Sequence, residues 1–177
     1  MREISLKAIL KIIIFTMAIS YEMKLKLDKI DILVEKGYKV KIKKENFIPI
    51  LISPEGNFVN IFFRKRYGDD SLPGFSWIAF FFPPIIAAKI RDWKYFWSVG
   101  LMAFGLSIIE SIFNIETSYI LSFLISLLYG FGYPLRRWLF VKSNKKEFGI
   151  SISVLLGLLL SFVTAIPAGI VYEVFSR

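Results

Sequence analysis

The sequence predicts a mainly α-helical integral membrane protein. A three-span helical bundle is expected behind a short N-terminal amphipathic helix and a small α+β domain, with a fourth span as the alternative. Three observations lead there. The chain of 177 residues is 55% hydrophobic and 17% aromatic, with a mean hydropathy of +0.58; an ordinary soluble domain is about 45–50% apolar. Charge is segregated: residues 1–74 hold 14 of the 23 basic and 9 of the 14 acidic residues. Residues 75–177 contain three apolar stretches of spanning length. The same composition excludes disorder, collagen and coiled coil.

The chain has no cysteine and no histidine. Zinc, haem and iron–sulfur sites built on those residues are therefore excluded, as are imidazole-dependent nucleophilic catalysis and disulfides. Carboxylate, Lys, Ser, Thr or Tyr chemistry remains, or Mg²⁺ on paired carboxylates. No cofactor is expected.

The spans are 95–113, 118–135 and 150–172. The first carries a single charge, Glu110, and the other two carry none. About 20 helical residues, or about 30 Å, cross a hydrocarbon core. A buried apolar hairpin in a soluble protein is the competing reading, but too little polar chain remains to cover three such segments. Residues 75–94 are different. Phe75–Ala88 is short, and Pro83 and Pro84 interrupt it. Proline lacks an N–H and biases Phe82 away from helix, so this element is expected to be re-entrant or interfacial, followed by a basic anchor.

Flanking charge predicts the threading. Lys89, Arg91 and Lys94 precede the first span, Glu116 is the one charge in the next turn, and Arg136, Arg137, Lys142, Lys145 and Lys146 follow the second span. Basic loops stay on the cytoplasmic side, which puts the N-terminal domain and the basic loop inside. The expected membrane anchors are Trp77, Trp93, Tyr95, Trp97, Arg136, Arg137 and Trp138, with Tyr119 and Tyr172 at the outer face.

Residues 23–74 read as a small α+β domain. Leu27, Ile30 and Val34 share a face of a short helix over Asp28–Lys36, which Gly37 stops. Val40 and Ile42 alternate with Lys39, Lys41 and Lys43 as in a half-exposed strand. Phe47–Ser53 and Phe58–Phe63 flank Pro54-Glu55-Gly56-Asn57, a turn signal that predicts a hairpin. In residues 1–22, Glu3, Lys7 and Lys11 form a polar stripe that predicts an interfacial helix; a cleavable signal peptide and a start at Met23 are the alternatives.

Three pieces of this sequence carry a family resemblance: Leu51-Ile52-Ser53-Pro54-Glu55-Gly56, Gly74-Phe75-Ser76-Trp77-Ile78-Ala79-Phe80-Phe81-Phe82, and Arg91-Asp92-Trp93-Lys94-Tyr95-Phe96. Together they resemble the domain of unknown function 2628 family of small bacterial membrane proteins. The likeness covers about 51–95 and weakens towards 146. Arg91 stands where that family often has a glycine. The resemblance implies architecture and a bacterial inner-membrane location, and supplies no catalytic residue.

Small residues recur every four positions in the spans: Ala103, Ser107 and Ser111; Ser118, Ser122, Ser126 and Gly130; Ser153, Gly157, Ser161, Ala165 and Gly169. Each set lines one helix face and permits close helix packing, with serine able to bond across the contact. Packing inside one bundle is expected, with a homo-oligomer contact as the sharper reading. Glu110 reads as an interface carboxylate in preference to a relay group. Arg91-Asp92 reads as a juxtamembrane ion pair, and Asp69-Asp70 as a solvated loop in preference to a Mg²⁺ site. The net charge of +9 is better matched to anionic membrane lipid than to nucleic acid, which is not an expected partner. The function expected is a non-enzymatic membrane accessory or interaction protein, with membrane lipid, a membrane protein or a second copy as partner. A pore or transporter subunit is the first alternative, and a lipid-headgroup enzyme the second.

Overall fold

A computed structural model describes residues 21–42, 47–59, 74–113 and 118–175. The expectations for residues 1–20, the Asp69-Asp70 loop and the Glu116 turn lie outside these. The described part is mostly helical, with six helices and one three-stranded sheet.

Helix α1 spans Tyr21–Glu35, starting earlier than the expected Asp28. It stops where Gly37 takes a positive φ of 91°. The Tyr38 N–H donates to Leu33 O (3.1 Å) and the Gly37 N–H to Val34 O (2.9 Å). That pair of bonds closes the last turn in the way a left-handed residue after a helix allows.

Strands β1 (Lys39–Lys41), β2 (Ile50–Ile52) and β3 (Phe58–Val59) form an antiparallel sheet in sequence order. The turn from Pro54 to Asn57 joins β2 to β3, with Gly56 at φ 87° and the Ser53 N–H donating to Asn57 O at 2.8 Å. Alternation sends Lys39 and Lys41 to solvent and Val40 inward. Leu51, Val59 and Leu33 of α1 make a small core under the sheet.

The proline-containing stretch forms two short helices, α2 (Trp77–Phe81) and α3 (Pro83–Lys89). The break is at Phe82 (φ −130°, ψ 49°), where Pro83 forces its predecessor out of helical geometry and then serves as the first residue of α3. After α3 the Asp92 N–H donates to Ala87 O (2.8 Å) and the Arg91 N–H to Ala88 O (3.0 Å). Arg91 sits there at φ 54°, a conformation that costs a non-glycine residue about 1–2 kcal/mol.

Three long helices follow: α4 (Trp93–Phe113), α5 (Ser118–Lys142) and α6 (Ile150–Phe175). Two of them, α4 and α6, are long and apolar enough to cross a membrane. Helix α5 differs from the expected span at 118–135. It continues without a break to Lys142, so Arg136 and Arg137 belong to a helix and not to the expected basic loop. Helices α3 and α4 lie along α6, while α5 packs on α1 and α2 and touches α4 only lightly.

Missing atoms make two of these contacts. Pro134 has no N–H, so the Gly130 carbonyl one turn back has no donor within α5. The Ser76 N–H takes that place, 2.9 Å from Gly130 O. Gly130 also has no side chain; a Cβ there would lie 2.5 Å from Cε2 of Phe75. The Phe75 ring is boxed by Trp77, Phe80 and Phe131, with centroids 4.9, 5.7 and 4.8 Å away. On α6, a Cβ at Gly157 would lie 3.0 Å from the Ile85 backbone, so α3 sits directly on that glycine.

Gly130→Val is expected to lower stability by about 1–3 kcal/mol through overpacking. Gly105→Ala, where a Cβ meets nothing within 4 Å, is expected to raise it by about 0.5–1 kcal/mol. Thermal unfolding of both variants in one detergent checks the pair; equal behaviour would contradict the docking of Phe75 on Gly130.

Candidate functional site

Arginine inside an apolar helix must find an anion where it stands. Arg136 and Arg137 are 3% and 2% exposed. The turn after α3 delivers Asp92 to Arg136, and the two side chains form a salt bridge. The Tyr129 hydroxyl donates to the same Asp92 oxygen at 3.3 Å. The Arg136 guanidinium also lies 5.2 Å from the Phe47 ring and 5.3 Å from the Tyr129 ring. Tyr95 meets Tyr129 edge-on at 4.7 Å.

The neighbouring Arg137 turns to the α5–α6 connection and pairs with Glu147. Lys89 Nζ, at the end of α3, lies 3.5 Å from the other Glu147 oxygen. The Phe148 N–H donates to Lys89 O at 3.2 Å. Among the described residues, Arg136 Nη2 and Arg137 Nη1 are buried without an acceptor. The layer therefore ties α3, α4, α5 and the α5–α6 connection together at one end of the long helices.

A second set of contacts fastens the N-terminal domain to that end. Trp138 Nε1 donates to Asp31 Oδ1 (2.9 Å), and Lys142 Nζ lies 2.9 Å from the same oxygen. Those two bonds, Lys142 first, hold the Asp31 carboxyl below its ordinary value of 3.8. Lys26 Nζ of α1 donates to Phe75 O, and burial lowers its pKa.

The predicted anchors divide. Trp77, Trp93 and Trp97 are exposed, whereas Tyr95 is buried in the core. Arg136 and Arg137, expected as membrane anchors, are interior groups. Trp138 is half-buried against Asp31. Asp92 pairs with Arg136 and not with its neighbour Arg91, whose guanidinium instead lies over Phe148 at 4.2 Å. Sequence reasoning missed the Asp92–Arg136 pair; two arginines directly after a mid-helix proline were the available signal.

The small-residue stripes divide as well. Ser153, Gly157 and Gly130 are buried at helix contacts, and Ser126 and Ser161 are half-buried. Ala165, Gly169 and Ser122 are exposed. The Ser118 side chain lies outside the described residues. The serine hydroxyls bond to their own helices: Ser107 to Phe104 O (2.9 Å), Ser111 to Ser107 O (2.7 Å), Ser153 to Gly149 O (2.9 Å) and Ser161 to Gly157 O (2.8 Å). Ala103 and Ser107 of α4, Ser122 of α5 and Gly169 of α6 line a groove of about 430 Å³ that the light α4–α5 contact leaves open. Glu110, 8% exposed, lines it too. Among the described residues no three acidic side chains converge on a place that could hold a metal ion. No protein family, no curated protein and no solved structure matches the chain.

Asp92→Leu leaves Arg136 buried and unpaired and is expected to cost about 3–5 kcal/mol, while Asp92→Leu with Arg136→Met recovers most of that loss. Chemical unfolding of the single and double variants measures it; a double variant no more stable than the single would mean that the pair does not govern this end. The Asp31 contacts carry a pH dependence of definite sign. The folded pKa is lowered, so their contribution is complete above the unfolded value and is lost as pH falls through the folded one. The protection of α1 amides against hydrogen exchange, taken relative to the intrinsic rate at each pH, is expected to fall between neutral pH and pH below 3.8, and Asp31→Asn to flatten that change.

Proposed function

We propose that the chain is a small multi-pass inner-membrane protein of bacterial type, acting without catalysis as an accessory or interaction subunit. One observation carries the membrane reading: the apolar windows of α4 and α6 are only 17% and 6% buried within the protein. Trp97, Leu101, Leu155, Leu158 and Phe162 all stand exposed on these helices. In water such continuous apolar surface is unfavourable by about 25 cal/mol per Å²; in hydrocarbon it is not. The N-terminal half of α5 adds exposed Phe123 and Leu124 and completes a third span in this reading.

The orientation proposed puts the ion-pair end and the sheet on the cytoplasmic side. Arg91, Lys94, Lys142, Lys145 and Lys146 are exposed around the ends of α4, α5 and α6 that the salt bridges join, and exposed bases favour an anionic inner leaflet. The non-enzymatic reading is supported by the use of Asp92, Glu147, Arg136 and Arg137, which hold helices together. The likeness of 51–95 to the domain of unknown function 2628 family belongs to this proposal and adds architecture alone.

The chain is expected to remain in the membrane pellet after alkaline carbonate washing and to need detergent for release. Protease added to intact cells should spare residues 21–59, and protease added to inverted vesicles should cut them. A monomer recovered in the supernatant without detergent would overturn the reading.

A further inference from the structure

A second groove lies between α4 and α6, with room of about 420 Å³, in the range of small-molecule sites. Gly100 lets the two helices meet there: a Cβ on it would lie 3.1 Å from Thr164 Cβ. Trp93, Trp97, Phe104 and Val163 also line the groove, and all four are exposed. The Thr164 hydroxyl already donates to Leu160 O at 2.8 Å. Among the described residues no charged side chain lines the groove. Such walls suit a hydrocarbon chain, which asks for no hydrogen bond. The charge beside them says what that chain is attached to. Trp93 meets Phe148, with ring centroids 6.2 Å apart, and the Arg91 guanidinium lies 4.2 Å from the centroid of the same Phe148 ring. Lys145 and Lys146, just before Phe148 in the chain, are exposed. The carboxylates next to these bases in sequence are already used, Asp92 by Arg136 and Glu147 by Arg137 and Lys89. Among the described residues no carboxylate pairs with Arg91, Lys145 or Lys146. Arg91 is also held at φ 54°, where glycine would rest without strain. Backbone strain of this kind collects at ligand-binding places.

We propose that this groove is the site of one anionic phospholipid, with an acyl chain between α4 and α6 and its phosphate at Arg91, Lys145 and Lys146. The inference rests on the membrane reading above and deepens it, from bases that favour an anionic leaflet to a discrete place for a single lipid. A second copy of the chain fits less well. In the same membrane orientation it would bring its own Arg91, Lys145 and Lys146 to that depth, with no carboxylate to receive them.

Phosphatidylglycerol and phosphatidylcholine with identical acyl chains serve as the probes; the first headgroup is anionic and the second has no net charge. Native mass spectrometry of the purified full chain in a non-ionic detergent counts the bound lipids and measures their affinities. One phosphatidylglycerol is expected to bind at least about tenfold more tightly than phosphatidylcholine, the factor that two bases beside an anionic headgroup supply. Arg91→Gly is expected to lower that preference at least about threefold without lowering the unfolding temperature, because glycine accepts the positive φ. Adding Lys145→Gln and Lys146→Gln is expected to remove the rest. Val163→Trp fills the groove from an exposed position and is expected to weaken both lipids at least about threefold. Equal affinity for the two lipids, a preference that survives the triple substitution, full binding by folded Val163→Trp, or a dimer that excludes lipid from the groove would each overturn the proposal. Equal affinity in a chain that stays in the carbonate-washed pellet removes this site and leaves the membrane reading standing; a chain soluble without detergent removes both.

Discussion

Two buried guanidinium groups towards the C-terminal end of α5 set the terms for this fold. Neither Arg136 nor Arg137 reaches solvent, so each needs a carboxylate brought to it. The carboxylates come from different directions. Asp92 arrives on the turn that ends α3, and Glu147 arrives on the connection into α6. Satisfying the arginines therefore fixes the turn from which α4 begins and the connection from which α6 begins. A buried ion pair adds little net stability compared with apolar packing. What it contributes here is register: the long helices cannot slide past one another without stripping a charge of its partner.

The other end is held differently. Helix α5 is held by α1, by α2, which reaches as far as Phe123, and by the ion pairs, and its contact with α4 is slight. The groove follows from that asymmetry. Small residues on facing helices would ordinarily let backbones close together. On α6 they do so at Gly157, where α3 presses on the glycine, and fail to do so at Gly169, which faces open space.

Local chemistry made part of this legible in advance. Gly37 stops a helix, Pro54 to Asn57 turns a hairpin, and Pro83 breaks a helix at Phe82; each depends on residues a few positions apart. The apolar character of α4 and α6 was equally plain. The extent of α5 was not, because two arginines after an uncharged stretch look like the start of a loop when their partners are 44 and 10 positions away. The stripes of small residues are a matter of periodicity, which does not say whether a neighbour occupies them. Nor did it show that the serines would bond to their own helices.

The bond between Ser76 and Gly130 has a consequence for the order in which the chain is built. Its acceptor exists because of Pro134, which leaves the ribosome long after the segment it anchors. Lys26, Asp31 and Asp92 likewise wait for partners in later sequence or on the segment so anchored. The leading half of the polypeptide therefore has no finished seat until α5 has emerged.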